Sequence, residues 1–453
     1  MSHARSSIDS KSVLWNAFKL GFPVAIQSAL VAILALADVL MVSSHGQAAT
    51  AAVGLASKWH FVVTMIMAGM ANANGVLVAQ YWGRKNTEKS KQVTQFSITA
   101  GLVILTPIAI ALTGGANFIM LLQTKDPSVI AFGIDYLWFA APSLLLTHFI
   151  IVIESSLRSS GDSLTPLLVA ALTIGCNIVL NYALIDGHFG LPEMGVAGAA
   201  LATSLSRLIQ VLIYVASLKI RQHWLYTTKA EKADKKLRTS YLQLAAPTAA
   251  GAVLWATGTL IYQVIFGHMG TTELAIFSTI APFESLCYSV FLGISVACSI
   301  ILGQHLGRNE FEQALRTSQL FIQLIIILGL TTSVALYIGK SELVSLLRLD
   351  QDDTRMMASL ALNVTSLGVC VKMMNMVVIN GILRAGGENH YCLKMDFTST
   401  WLFGLPLTAI GAVIFSLPFH FVYLCMLGEE VVKVFLCLRR YRKHRWLTNL
   451  TIS

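Results

Sequence analysis

The stretch "AILALADVLMV", residues 32–42, sets one carboxylate, Asp38, in the middle of an apolar run. No Lys or Arg lies within a helical turn of Asp38 along the chain. An acidic side chain is costly in hydrocarbon, and it is kept where it faces the inside of a helix bundle or a water-filled cavity. The stretch therefore predicts a membrane helix with one functional polar position.

The composition of the whole chain is typical of a membrane protein. Hydrophobic residues make up 55% of the 453 residues and charged residues only 12%, whereas soluble proteins are usually about a quarter charged. The net charge of +9 does not indicate nucleic-acid binding, because the basic residues are gathered in a few loops. The seven cysteines lie in or at the ends of apolar runs, which is typical of small core residues.

Hydropathy divides the chain into apolar runs, and a spanning helix needs about 20 residues of this kind. Twelve runs are long enough: 13–43, 49–79, 92–113, 130–157, 164–185, 194–218, 239–267, 271–303, 312–338, 355–384, 394–416 and 418–438. The sequence thus predicts an all-α integral membrane protein with twelve transmembrane helices.

Loop charge predicts the orientation of these helices. The loop "YWGRKNTEKSK" after the second run, the segment 219–238 and the tail "RRYRKHR" are rich in Lys and Arg, whereas the alternate loops "SHGQAA", "LIDGHFGLPEMG" and "GHMGTT" have none. Basic loops stay on the cytoplasmic side. We therefore expect a multi-pass protein of the bacterial cytoplasmic (inner) membrane with both termini in the cytoplasm.

The chain repeats itself once. Gly83 and Arg84 in "AQYWGRKNTEKSKQ" match Gly307 and Arg308 in "GQHLGRNEFEQALR", and "SLRSSGDS" is echoed by "ILRAGGEN". A repeated unit with an even number of spans keeps its orientation, which predicts two parallel six-helix bundles related by an axis along the membrane normal. The predicted domains are an N-terminal lobe at 1–218, a basic cytoplasmic linker at 219–238, and a C-terminal lobe with a basic tail at 239–453.

These motifs, in this order and spacing, resemble the multidrug and toxic compound extrusion (MATE) family over nearly the whole chain. The resemblance rests on "GFP" in the first run, "GR" after the second and eighth, "LRSSGD" after the fourth, and "NIVLNYALI" in the fifth. It implies a monomeric antiporter, without a resident cofactor, that exports cationic or amphipathic drugs and toxic compounds.

Within the family the chain is most similar to the DinF-like, proton-coupled branch. The sodium-coupled branch generally has acidic residues on the seventh and tenth helices, and the corresponding runs here have none. The position that matches Asp38 in the second half is Tyr262. The resemblance therefore implies exchange against protons, with the acidic coupling site confined to the first half.

Three further polar residues are predicted to lie near Asp38. Asn177 and Asn181 share one face of the fifth helix, because they are four residues apart, and Thr203 lies at a similar depth on the sixth. The resemblance points to the same four residues as a proton-coupling site. Burial disfavours a carboxylate, so external protons could neutralise Asp38 and change its hydrogen bonds. Pro23, which weakens the first helix, is the predicted hinge. Carboxylate, Asn and Thr oxygens also suit sodium, so sodium coupling stays open.

A second tier of residues has weaker support. In the first half these are Glu154, expected to pair with Arg158 four residues later; Arg207, which could pair with Asp38 and hold it ionised; and Met65 and Met67, which could adapt to varied ligands or simply fill the core. In the second half they are Tyr262, Glu284 and Lys372, the last two as a possible pair.

Two alternative functions remain open from the sequence. The first is a lipid-linked saccharide flippase of the same broader superfamily. The second is an integral membrane transferase, for which the acidic stretch "LDQDDTR", residues 349–355, would be the metal-binding cluster. That stretch lies in a predicted outer loop, and the chain has no Walker A, HExxH or CxxC motif.

Overall fold

The computed structural model of the chain describes residues 10–346 and 352–452. Within these ranges every regular element is a helix, and there is no strand. The first residues of the acidic stretch "LDQDDTR" fall among residues 347–351 and so lie outside the described residues.

Twelve long helices follow one another in the described part of the chain. They are α1 (Ser10–Ser43), α2 (Gln47–Gly83), α3 (Thr87–Gly114), α4 (Pro127–Ser159), α5 (Leu164–Ile185), α6 (Gly195–Ile220), α7 (Lys235–Met269), α8 (Thr271–Gly307), α9 (Phe311–Ile338), α10 (Asp352–Met376), α11 (Asn389–Ile414) and α12 (Phe419–Arg442). Short helices occupy Ala116–Leu121, His188–Gly190, Trp224–Thr227 and Lys340–Leu346.

Eleven of the long helices are apolar enough, by length and composition alone, to cross a membrane. The twelfth, α12, carries Glu429, Glu430 and Lys433 near its middle and three arginines in its last turn. These charges explain why the hydropathy of α12 is too low for it to be counted, although the helix is long enough to cross a membrane. The predicted all-α membrane fold with twelve transmembrane helices is confirmed.

The chain divides into two compact units. One comprises residues 26–249, and the other comprises the described residues up to Ala25 together with those from Ala250 onward. The boundaries fall inside α1 and α7, shortly after Pro23 and Pro247. The predicted lobes at 1–218 and 239–453 assign the first parts of these two helices differently, and they remain a prediction.

Close helix crossings explain this division. In the unit of residues 26–249, a Cβ on Gly69 of α2 would lie 2.5 Å from Ala249 Cα of α7. In the other unit, a Cβ on Gly293 of α8 would lie 2.2 Å from Gly21 O and 3.0 Å from Ala25 Cβ, both in α1. Only glycine allows two helix backbones to approach this closely. Each crossing thus ties the first part of a long helix to helices from the other half of the sequence.

Local backbone geometry repeats along with the sequence motifs. Lys85 and Asn309, which follow the two "GR" motifs, both have left-handed backbone angles, with φ of 58° and 62°. Gly161 and Gly387, in the two later motifs, also have positive φ, at 100° and 84°. Because few residues adopt this conformation, its recurrence at matching places supports the predicted duplication.

The segment between α6 and α7 packs against the ends of α2 and α3 of the same unit. Trp224 lies against Trp82, with ring centroids 5.3 Å apart. Lys89 Nζ donates to Asp234 Oδ2 at 2.8 Å, and this ammonium lowers the pKa of the exposed Asp234 carboxyl. The predicted linker is therefore docked on its own unit over much of its length.

The C-terminal tail packs in a comparable way against the other unit. Trp446 is fully buried, and a Cβ on Gly386 would lie 1.7 Å from Trp446 O. Asn449 Nδ2 donates to Gly307 O at 3.1 Å and to Asn309 Oδ1 at 2.7 Å. The tail thus covers the loops that carry the second copies of both repeated motifs.

The helical hydrogen-bond pattern widens in the second half of the sequence. α10 continues into a π-helical turn, Val377–Leu383, and α11 contains two such turns, Phe397–Gly404 and Ile410–Ile414. π turns are rare overall, but many of those that occur lie at functional sites. The first of those in α11 carries Thr400 and Gly404, which contact charged residues of α12 as described below.

We predict that Gly293→Ala destabilises the protein by about 1–3 kcal/mol, the usual penalty for overpacking, because the new methyl would overlap Gly21 O of α1. Gly54→Ala in α2 is the matched control, since no atom lies within 4 Å of the position that its new methyl would take and alanine favours a helix. Thermal unfolding of both variants in detergent measures the difference. Equal melting temperatures would show that the α1–α8 crossing has room for the added methyl group.

Candidate functional site

Asp38 is half-buried in the second part of α1 and is bonded to two neighbouring helices through asparagines. Asn181 Nδ2 of α5 donates to Asp38 Oδ1 at 2.6 Å and to Asn177 Oδ1, one turn away, at 3.2 Å. Asn177 Nδ2 then donates to Ser206 Oγ of α6 at 3.1 Å. We call these four residues the Asp38 cluster. It connects α1, α5 and α6.

One acceptor atom in the Asp38 cluster has no donor. Asn181 is fully buried, and its Oδ1 atom has no hydrogen-bond partner among the described residues. An ionised carboxylate can only accept hydrogen bonds, whereas a protonated carboxylic acid has one O–H donor. A neutral Asp38 would therefore supply a donor that this site lacks when Asp38 is ionised.

The structure brings together three of the four predicted coupling residues. The fourth, Thr203, donates instead from Oγ1 to Ala199 O of its own helix at 3.0 Å. Ser206, one turn further along α6, makes the bond to Asn177. Sequence reasoning missed Ser206, although its i, i+3 spacing from Thr203 places the two on one helix face.

Arg207 is not in an ion pair with Asp38. Its Nη1 atom donates to Gln210 Oε1 at 2.8 Å, and no described contact within 4.0 Å joins it to the Asp38 carboxylate. Both Asp38 and Glu154 act on the guanidinium electrostatically from a greater distance. The direct pairing that would hold Asp38 ionised is therefore absent from the described contacts.

Glu154 has the ion pair that the sequence predicts. Its Oε2 accepts from Arg158 Nη2 at 2.9 Å and from Gln27 Nε2 of α1 at 3.0 Å. Its Oε1 accepts from Tyr214 Oη of α6 at 2.9 Å and, more weakly, from Gln210 at 3.4 Å. Gln27 of α1 and Gln210 and Tyr214 of α6 were missed in the sequence, because uncharged polar residues give no signal that they will meet an acid on another helix.

Three more predicted residues are located as follows. Pro23 lies inside α1, which is one continuous helix from Ser10 to Ser43. Met67 is fully buried in an apolar core with Val63 and Leu105, so it fills the core. Met65 is half-buried and keeps part of its side chain accessible.

The second half of the sequence contains the other predicted pair. Lys372 Nζ of α10 lies 3.0 and 3.1 Å from the two carboxylate oxygens of Glu284 in α8. Tyr423 Oη of α12 also donates to Glu284 Oε1, at 2.8 Å. The pairing of Glu284 with Lys372 is thus present, and a tyrosine reinforces it.

Tyr262 of α7, which matches Asp38 in the repeat, is bonded to an acid that sequence reasoning overlooked. Its Oη donates to Glu429 Oε2 of α12 at 2.6 Å, while Thr400 Oγ1 donates to Oε1 at 2.6 Å and Lys433 Nζ bonds the same oxygen. A Cβ on Gly404 would lie 2.4 Å from Tyr262 Oη, so only glycine leaves room for this bond.

Several charged side chains surround Glu429. We call the charged group the Glu429 cluster; it consists of Glu429, Glu430 and Lys433 of α12, Asp396 of α11, and Arg384 after α10. The prediction that the acidic coupling site is confined to the first half remains a prediction, but the second half also contains buried and half-buried acids, of which only Glu284 was predicted. The signal was present in "GEEVVK", which places Glu429 and Lys433 four residues apart on one face.

Among the described residues, no group of three His, Cys, Asp or Glu side chains is arranged to hold a metal ion. The two clusters are instead hydrogen-bonded arrays of carboxylates with amide, hydroxyl and cationic donors. Such arrays can bind and release protons, and they can change hydrogen-bond partners as they do so.

A family model and curated relatives identify the kind of protein. The MatE family model matches residues 23–183 and again residues 247–410, so it covers most of the chain and detects the internal repeat. The probable multidrug resistance protein YoeA of Bacillus subtilis is 25% identical over 88% of this chain and 88% of its own length. The probable multidrug resistance protein NorM of Thermotoga maritima is 24% identical over 94% and 92%.

Solved structures show the same fold. The MATE transporter VcmN of Vibrio cholerae superposes with a TM-score of 0.88 at 18% identity, covering 99% of this chain and all of VcmN. A second VcmN structure, described as the bent form, gives 0.87 over 97% of this chain and 98% of VcmN.

The relatives are transporters and not enzymes, which removes the membrane transferase as an alternative. Together with the twelve helices and the duplicated motifs, the double match of the family model shows that the chain belongs to the MATE family of multidrug resistance transporters.

Proposed function

We propose that this chain is a proton-coupled multidrug efflux antiporter in which Asp38 is the coupling acid. Multidrug transport follows from the family, and the Asp38 cluster supports the proton assignment. Asp38 has one short hydrogen bond, no ion pair among the described contacts, and a neighbouring acceptor without a donor. That arrangement suits a carboxyl group that alternates between its charged and neutral forms.

The chemical step is a change of hydrogen-bond partners. Ionised Asp38 accepts from Asn181 Nδ2, and protonated Asp38 can donate to Asn181 Oδ1 after a rotation of the amide. Because Asn177 and Ser206 are bonded in series behind Asn181, such a rotation alters how α1 is held against α5 and α6. Protonation thereby acts on helix packing and not only on local charge.

Pro23 supplies the flexibility that this step needs. Proline has no N–H, so the carbonyl of Lys19 lacks its helical partner and the helix bends more easily there. In our proposal, protonation of Asp38 favours a bent α1, and bending reduces the volume available to substrate. The description of one VcmN structure as the bent form supports bending in a relative of the same fold.

The remaining parts of the proposal concern substrate and setting. The names of the multidrug resistance relatives support drugs as substrates, and the family resemblance of the sequence implies that these are cationic or amphipathic organic compounds. The protein works as a monomer in the bacterial cytoplasmic membrane with both termini in the cytoplasm, because the positive-inside rule assigns the basic loops to that side. No resident cofactor takes part, and the energy comes from the proton gradient.

We predict that Asp38→Asn abolishes proton-driven transport while leaving the protein folded, because asparagine keeps the shape and the hydrogen bonding but cannot take up a proton. Wild type and variant are reconstituted in proteoliposomes, and efflux of a fluorescent cationic dye is followed under an imposed pH gradient without sodium. Asp135→Asn, at an exposed position of α4, is the matched control and should transport like wild type.

Two results would contradict this assignment. Transport by Asp38→Asn at the wild-type rate would make Asp38 a structural residue. Transport by wild type only after sodium is added would instead show that the cluster couples to sodium.

We further predict that Pro23→Ala slows dye efflux without lowering the melting temperature, because alanine restores the missing helical hydrogen bond and stiffens α1. Pro107→Ala, which changes a proline inside α3, is the control and should leave transport unchanged. If Pro23→Ala transports like wild type, α1 does not need this hinge.

A further inference from the structure

The Glu429 cluster is a charged array in the last third of the second half of the sequence, between Arg384 and Lys433, far from the Asp38 cluster along the chain. Its five side chains are between 7% and 19% exposed. Charges buried to this extent are unfavourable unless each is paired or neutralised. The balance of charge in the cluster therefore decides which protonation state is stable.

The charges of the cluster do not balance when every group is ionised. Lys433 and Arg384 are positive, whereas Glu429, Glu430 and Asp396 are negative, which leaves one excess negative charge. The neighbouring Lys372 does not correct the excess, because Glu284 already pairs with it at 3.0 Å. One additional positive charge would make the cluster neutral.

Glu429 is not the group that needs this charge. It accepts hydrogen bonds from Tyr262, Thr400 and Lys433. The Lys433 ammonium can only donate, and it shares this carboxyl group with two hydroxyl donors, so the ionised carboxylate is the favoured form.

Asp396 and Glu430 are much less well satisfied. Asp396 Oδ2 lies 3.8 Å from Arg384 Nη2, beyond hydrogen-bond distance, and no described residue donates to it. Glu430 Oε2 accepts one hydrogen bond, from Asn375 Nδ2 at 2.7 Å, and its Oε1 lies 3.9 Å from Lys433 Nζ. These two carboxyl groups are the candidates for neutralisation.

A second observation points to a missing proton. Asn375 of α10 is 3% exposed, it donates to Glu430, and its Oδ1 atom is buried without a partner among the described residues. Asn181 stands in the same relation to Asp38. In both places an amide donates to a carboxylate and leaves its own acceptor free for the O–H of the neutral acid.

The described residues contain no group of three His, Cys, Asp or Glu side chains arranged to hold a metal ion, whereas a proton needs only one carboxyl group with a neighbouring acceptor. The other charged or titratable groups that act on Asp396, Glu430 or their partners are Tyr262 of α7, Tyr288 and Glu284 of α8, Lys372 of α10, Cys392 of α11, and Cys437 of α12. None of them supplies an unpaired cation.

We propose that the Glu429 cluster binds one exchangeable proton, shared between Asp396 and Glu430, and so forms a second protonation site in this transporter. Because Asp396 and Glu430 act on each other electrostatically, the proton belongs to the pair and not to one residue. The role of this site in transport rests on the proton coupling proposed above, but its occupancy does not.

Infrared spectroscopy of the carboxylic C=O stretch tests occupancy directly. The background is Asp38→Asn, which removes the first site, at neutral pH where exposed carboxyl groups are ionised. We expect a protonated-acid band in this background and its loss on adding either Asp396→Asn or Glu430→Gln, since each change removes the excess negative charge. Glu388→Gln is the control and keeps the band, because Glu388 is paired with Arg440 at 2.6 Å outside the cluster.

Two further variants guard against misfolding as an explanation. Asn375→Leu should keep the band but shift it, because the acid loses its acceptor. Lys433→Met should about double its intensity, because a second acid must then be neutral. The proposal is overturned if the Asp38→Asn protein has no such band, if the band survives both acid substitutions, or if sodium removes it at constant pH.

A transport measurement then separates this proposal from the one above. If the second site takes part in the cycle, Glu430→Gln moves fewer protons per dye molecule than wild type. Failure of Asp38→Asn to stop transport would contradict the coupling role of Asp38 and leave the infrared result untouched.

Discussion

A carboxyl group inside a membrane helix must find hydrogen-bond donors, a cation or a proton within the protein, because the lipid around the helix supplies none of them. This constraint governs both polar regions of the molecule. Asp38 is held by the amide of Asn181 and has no counter-charge in the described contacts. Glu154, by contrast, is held by Arg158 and by three uncharged donors. The first arrangement leaves room for a proton, and the second is a structural ion pair.

The two halves of the sequence share repeated motifs and match the same family model, but the chemistry of their polar sites differs. Tyr262 stands where the first half has Asp38, and its partner is Glu429 of α12. Counted back from the ends of α6 and α12, Glu429 occupies the position that Arg207 has in the first half. The acid of this polar site is thus Asp38 on α1 in the first half and Glu429 on α12 in the second. An asparagine with an unpaired acceptor is nevertheless found beside an acid in both.

Sequence reasoning found much of the first site and little of the second. Asp38 was evident because a single acid in an apolar run has few structural explanations, and Asn177 and Asn181 because their spacing places them on one face. Ser206, Gln27 and Tyr214 were missed, since serine, glutamine and tyrosine are common in helices without a special role. Glu429 and Glu430 were overlooked as a site, because the sequence cannot show that Asp396 and Arg384 come near them.

The sequence by itself determined the twelve spans, the duplication and the family, because hydropathy, loop charge and motif spacing are properties of the linear chain. It also determined that Asp38 has to face a polar environment. Only the tertiary structure decided which groups provide that environment, and that five charged side chains meet around Glu429. The physical reason is that contacts between distant helices depend on the rotation and crossing of each helix. In helices that are apolar on most faces, the sequence pattern leaves that rotation undetermined, whereas packing at glycine crossings such as Gly69 with Ala249 fixes it.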